Sequence, residues 1–141
     1  MEKYEWKIAW GDFLSVGVPE IDKEHQQFVA RVNDVNKAII EVQDKVAVER
    51  LMDLMLMEAT HHFRHEQLLL EKWKYPEAKD HAKKHGKLIS QLNRTIEEFR
   101  EDDISFVWAL KGLRIKQLLV EHLLQEDMKY KDFLRTRQGP H

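Results

Sequence analysis

Residues 81–99 read HAKKHGKLISQLNRTIEEF, and this stretch decides the fold. His81, His85, Leu88, Leu92, Ile96 and Phe99 recur at intervals of three and four, which is one face of an α-helix. The face is apolar except at its start, where two imidazoles stand one turn apart. Residues four apart on a helix have Cβ atoms about 5–6 Å apart. His81 and His85 can therefore grip one metal ion from a single helix.

Three other segments repeat the pattern. His25 heads a helical line through Phe28, Val29, Val32, Val35, Asn36 and Ile39. His62 and Glu66 lie four apart on a segment whose inward line includes Leu51, Met55, Glu58, Leu69 and Trp73. His122 precedes Asp127 on a segment carrying Phe106, Leu110, Leu113, Leu118, Leu119, Leu123 and Phe133. Burying an ionisable group is costly unless it is paired or bound to metal. Seven such groups (His25, His62, Glu66, His81, His85, His122 and Asp127) need a common partner, and a pair of metal ions supplies one. Imidazole suits iron, copper, zinc and nickel, and carboxylate widens the choice toward iron and manganese. Seven donors are too many for one closed, four-coordinate structural zinc.

The helix ends are marked. Pro19 suits a first helical turn, and Asp22 and Glu24 suit the positive end of the helix dipole. Gln43, Asp44 and Lys45 mark a break, and a second helix is expected from about Val46 to Trp73. Pro76 ends it by disfavouring helix in the preceding residue. Asp102 and Asp103 offer a turn and an N-cap for the fourth helix. No segment shows strand-like alternation or an internal repeat. The expected fold is all-α: an antiparallel up-down four-helix bundle over residues 19–134, with a di-metal site in its core. Residues 1–18 should form an N-terminal arm, its Trp6, Trp10 and Phe13 packed on the bundle. Residues 135–141 should form a tail that frays.

Two registers are not settled by periodicity. His61, His62 and His65 compete for the inward position. Steps of about 3.6 residues from Leu51 pass through His62, leave His61 roughly 80° away, and fall between His65 and Glu66. In the fourth helix, five residues of ideal helix leave His122 and Asp127 about 140° apart. Both reach one site only if the helix is irregular between them, as a π-type turn would make it.

Bulk properties narrow the classes. The chain has 141 residues, 34% charged and 43% apolar, enough for one domain with a core. A net charge of −2 gives no electrostatic pull toward nucleic acid or an anionic membrane. There is no cysteine, which excludes disulfides, iron–sulfur clusters and zinc thiolates. No apolar run approaches a membrane span, and Met1 to Lys7 lacks a signal-peptide core. A cytoplasmic protein is the expectation.

Together these pieces resemble the hemerythrins, the single-domain bacterial branch in particular. The resemblance rests on residues 16–25 (VGVPEIDKEH), on His62-Phe63-Arg64-His65-Glu66, on Tyr75-Pro76 followed by His81 and His85, and on His122 with Asp127. It implies a non-haem di-iron centre with reversible dioxygen binding rather than enzymatic turnover. His81, His85 and His122 would hold one iron, and His25 and His62 the other. Glu66 and Asp127 would bridge them with an oxo or hydroxo group. The second iron keeps an open position, where the family binds dioxygen end-on as a hydroperoxide. Phe63, Leu118, Leu119 and Leu123 would form a dry wall around the ligand. Sensing or delivery would require a protein partner to receive oxygen or a redox signal. An alternative at the same site is a di-iron oxidase, a peroxidase or a nitric oxide-reactive redox protein. The chain departs from the family at Leu118, where bacterial members often carry tryptophan, and at Gln67, where many carry a second glutamate.

Overall fold

A computed structural model of the chain describes residues 6–137. Helix α1 spans Pro19–Ile40, α2 Lys45–Lys72 and α3 Ala78–Glu101. Helix α4 spans Ser105–His122, passes through a π turn at Leu123–Asp127, and continues as α5, Met128–Arg137. No strand occurs among the described residues.

Pairs across the bundle fix its topology. Arg31 reaches Glu58 and His25 reaches Glu66, so α1 and α2 run antiparallel. Arg100 meets Asp53 while Glu66 meets His81, which sets α2 against α3. Lys111 with Glu98 opposes α3 to α4, and Asn36 bonded to Gly112 opposes α4 to α1. The four helices therefore go up, down, up and down around one core. No helix among the described residues is long and apolar enough to cross a membrane.

Local chemistry explains the boundaries. Pro19 opens α1. Asp22 does more than complement the helix dipole. Its carboxylate accepts from the Val16 amide at 2.8 Å and the Ser15 hydroxyl at 2.6 Å, folding the arm back onto the first turn. Asp44 caps α2 by accepting from the Ala47 amide at 2.8 Å. Helices α1 and α2 both end in paired backbone bonds that need a left-handed residue, supplied by Val42 (φ 55°) and Lys74 (φ 57°). Asp102 does not cap α4 by its side chain: Ile104 is the N-cap, and Asp102 accepts from the Ile104 amide just before it. The Asp102 carbonyl instead receives the Trp108 indole and the Lys45 ammonium, which ties the α1–α2 joint to the α3–α4 joint.

The predicted faces of α1 and α3 are buried in full. The predicted face of α4 is shifted in its first two turns. Phe106 and Leu110 are exposed, and the inward line there runs through Gly112 and Ile115. The cause is Gly112, which lies against α1, where Asn36 donates to its carbonyl at 3.1 Å. Met52 and Met55 fill the core, but Met57 faces outward. In the arm, Trp10 packs on the core and Trp6 is half-buried, whereas Phe13 is 62% exposed. Ile8 and Leu14 anchor the arm in Phe13's place, Ile8 clasped by Asn33 through two backbone bonds. Residues 135–137, expected in the tail, form the last turn of α5; residues 138–141 lie outside the described residues.

The apolar core is split in two. The larger cluster includes Phe28, Phe63, Leu88, Leu119 and Leu123; the smaller includes Ile21, Leu70, Ala78 and Tyr130. The seven ionisable groups lie where the two meet, with Phe63 and Leu123 of the larger cluster interleaved among them.

A Cβ on Gly112 would overlap the Asn36 side-chain oxygen and stand 3.1 Å from Ile39 Cδ1. Gly112→Ala should therefore destabilise by about 1–2 kcal/mol, overpacking outweighing the gain in helix propensity. In an Asn36→Ala background most of that penalty should vanish. Urea unfolding of the four proteins measures this, and equal penalties in both backgrounds would refute the contact.

Candidate metal centre

His25, His62, Glu66, His81, His85, His122 and Asp127 are all buried, the two carboxylates completely. All seven converge on one layer. The π turn makes this possible in the fourth helix. Its wider winding carries Asp127 round to the side of His122, with Oδ1 3.2 Å from His122 Nε2. The α2 register is resolved as well: His62 and Glu66 point in, His61 is exposed, and His65 is half-buried.

The layer has two sides. Glu66 Oε1 lies 3.1 Å from His81 Nε2 and 2.8 Å from His85 Nε2. Its other oxygen, Oε2, lies 3.2 Å from His25 Nε2 and 3.4 Å from His62 Nε2. Asp127 divides in the same way, with Oδ1 3.0 Å from His81 and Oδ2 3.2 Å from His25. Each carboxylate thus gives one oxygen to a group of three histidines and the other to a group of two. Five donor atoms of Glu66, His81, His85, His122 and Asp127 lie within 4.8 Å of one another, as do three from His25, His62 and Glu66.

These contacts are close but not well-formed hydrogen bonds throughout. His62 Nε2, His85 Nε2, His122 Nε2 and both Asp127 oxygens are buried with no hydrogen-bond partner. Orphaned buried donors and acceptors that face one another fit a cation held among them.

Electrostatics agree with the geometry. Burial raises the carboxyl pKa of Glu66, but the bonds from four imidazoles outweigh it and hold the group well below 4.5. Asp127 is likewise held well below 3.8: burial and Glu66 oppose its charge, and His122 and His25 overcome them. Burial lowers the His25 pKa, yet Asp127 and Glu66 push it up to about 10. His81 rises to about 9 for the same reasons. His85 is lowered, because burial outweighs Glu66.

Sequence reading missed two supporting residues. Tyr130 is fully buried and donates its hydroxyl to Glu66 Oε2 at 2.7 Å. It stands three residues beyond Asp127, hence on the same face, and that spacing was the available signal. Glu24 accepts from His62 Nδ1 at 2.6 Å and from His65 Nδ1 at 2.7 Å. Its neighbour His25 marked the segment, but no one-dimensional period reports a bond between helices.

The expected wall residues are buried in the larger apolar cluster. Phe63 stacks on His85, with ring centroids 4.2 Å apart, and lies against His62 and His122. Leu118 lines a cleft of about 170 Å³ that reaches His122. Phe28, absent from the sequence reading of the wall, packs on Phe63 and lines a cleft of about 420 Å³ that reaches His62. Gln67 donates to the Ala78 carbonyl at 3.0 Å, tying α2 to the start of α3.

A four-helix bundle whose core carries a histidine–carboxylate cluster able to hold metal defines a class of bundle metalloproteins. The family model described as "Hemerythrin HHE cation binding domain" matches residues 16–134. The chain belongs to the hemerythrin family. It is 26% identical to a bacteriohemerythrin of Stenotrophomonas maltophilia (strain R551-3), over 92% of this chain and 82% of that one. It is 28% identical to a hemerythrin-like protein of Naegleria gruberi, over 89% of this chain and 92% of that one, and equally to one from Naegleria fowleri.

The shifts predict how the metal-free protein responds to pH. His25 and His81 are raised above 6.5, so their contribution is complete below pH 6.5 and is lost as pH rises through about 9 to 10. Glu66 and Asp127 are depressed, so theirs is present above their unfolded values of 4.5 and 3.8 and is lost in acid. Stability of the metal-free chain should peak between about pH 4.5 and 6.5 and fall toward pH 10. Thermal melts across that range test it, and a flat or rising Tm above pH 6.5 would contradict the assignment.

Proposed function

We propose that this protein binds dioxygen reversibly at a non-haem di-iron centre held by His25, His62, Glu66, His81, His85, His122 and Asp127. One observation carries the reading: both carboxylates divide their oxygens between a three-histidine side and a two-histidine side. The first side brings five donors within reach of one ion and the second brings three, with Asp127 Oδ2 close to His25 alone, so the second leaves more room for an external ligand. When bound, the iron pair supplies the two electrons that reversible oxygen binding requires, one from each ion.

The chain's own residues do the rest. Glu66 and Asp127 stay ionised and bridge the two sides. Tyr130 fixes the Glu66 carboxylate by donating to Oε2. His62 is held at its outer nitrogen by Glu24, which leaves Nε2 free to face the centre. Phe63, Leu118, Leu119 and Leu123 exclude water, and Phe28 extends that wall toward His62. The reading favours binding over turnover, because a dry pocket starves bound oxygen of the protons that further reduction needs. A ferritin-like oxidase would need Glu-x-x-His motifs aimed inward. Glu58 and His61 have that spacing, but His61 is exposed and Glu58 pairs with Arg31.

The test is the visible spectrum of anaerobically reduced, iron-loaded protein in air and again after purging. A charge-transfer band that appears in air and disappears on purging is expected. Rapid one-way oxidation would reject reversible binding and favour oxidase, peroxidase or nitric oxide chemistry. His81→Ala should lose at least one iron per chain, whereas His61→Ala should keep full iron content. Full iron in the first variant, or loss in the second, would overturn the ligand assignment.

A further inference from the structure

We infer that His65 is a positioning residue for the two-histidine side of the centre, acting through Glu24. The inference rests on the di-metal reading above. Glu24 sits on α1 beside His25 and is only partly exposed. Both its oxygens are engaged: Oε1 receives His62 Nδ1–H at 2.6 Å, and Oε2 receives His65 Nδ1–H at 2.7 Å. His62 and His65 lie three apart on α2, so one carboxylate clamps two imidazoles of the neighbouring helix. Burial raises the Glu24 pKa, but the two histidine bonds outweigh it and keep the carboxylate ionised.

The clamp has a direction. A hydrogen bond at one ring nitrogen fixes which nitrogen carries the proton and how the ring is turned. With Nδ1–H given to Glu24, the ring of His62 is turned so that Nε2 faces inward, and in the neutral ring Nε2 is the atom left to hold a metal. The other histidine on that side cannot share the task, because His25 Nδ1 is buried with no partner. Orientation of the two-histidine side thus depends on Glu24. Glu24 in turn is a flexible side chain whose second oxygen would be free to swing without His65. His65 Nε2 stands 3.9 Å from Glu20, too far for a hydrogen bond, so Glu24 is the partner that explains its rotamer. His61, exposed and one residue from His62, lacks any such bond and serves as a control.

The experiment is a titration of metal-free protein with Co2+, followed by the visible d–d absorption of the bound ion. Wild type should bind two ions per chain in two steps. A different stoichiometry would overturn the di-metal reading itself, and the inference with it. His65→Ala should weaken the second step by about tenfold and leave the first unchanged. His65→Asn should restore it, since an asparagine amide N–H takes the place of Nδ1–H, and His61→Ala should match wild type. The inference fails if His65→Ala changes neither step, if it weakens both alike, or if His65→Asn binds no better than His65→Ala. Should the alanine variant not fold, His65→Gln replaces it, because its longer amide does not reproduce the Nδ1 position. Equal second-step affinity in His65→Asn and His65→Gln would then overturn the proposal while two-ion binding stands.

Discussion

The burial of seven ionisable groups in one layer is the constraint on which the rest of this structure depends. Desolvating an ion costs several kcal/mol even after relaxation, and pairing repays that only when geometry is good. Glu66 is surrounded by four imidazoles and a phenol, and Asp127 by three imidazoles. The division of the apolar core into two clusters is a consequence, since the ionisable groups occupy the space where the two would otherwise join. So is the π turn, which interrupts regular winding where the five-residue spacing of His122 and Asp127 requires it. Replacing buried ionic sets with apolar residues of equal volume is often neutral, or stabilising by roughly 1–4 kcal/mol. The layer is therefore better explained by what it binds than by what it adds to folding.

Much of this was legible because the functional groups sit on the same lines as the core. In α3 the apolar period and the histidine pair coincide, so burial and site were read together. The irregular turn was legible for the opposite reason: His122 and Asp127 could not share a face on an ideal helix. Periodicity failed where apolar residues exceed what one face can bury. Helix α4 offers Phe106, Trp108, Leu110, Leu113 and Ile115 within three turns, so several phases fit equally well. The choice fell to Gly112, whose missing side chain admits Asn36 of α1. Helix α2 between His65 and Glu66 was ambiguous for a related reason. Both face the α1 side, one as part of the layer and one as a donor to Glu24. Contacts made by polar atoms across helices, such as Tyr130 with Glu66, leave little trace in a hydrophobic pattern.

The asymmetry of the centre follows from where its donors originate. The three-histidine side draws on α3, which contributes a four-spaced pair, and on α4. The two-histidine side is assembled from single imidazoles on α1 and α2, so its geometry depends on how those helices sit against each other. The Glu24 bonds and the Arg31–Glu58 ion pair both cross that same junction. Polar bonds between α1 and α2 therefore help to set the geometry of the side that draws its imidazoles from two helices.

The surroundings of the two sides also differ in charge. The cleft that reaches His122 carries Lys84, Lys87 and Arg114 beside Glu121 and Glu126. The cleft that reaches His62 carries Glu24 and Glu58 among Phe28 and Met57, with His61 and His62 but no lysine or arginine in its lining. Both carboxylates of that cleft are already engaged, Glu58 by Arg31 and Glu24 by the two imidazoles of His62 and His65. The side with fewer protein donors thus lies beside the cleft whose lining carries no lysine or arginine and whose carboxylates are compensated. In the proposed reading, an external ligand would therefore meet the two-histidine side beside paired carboxylates and the apolar faces of Phe28 and Met57, and the shape of that cleft rather than its net charge would set what enters.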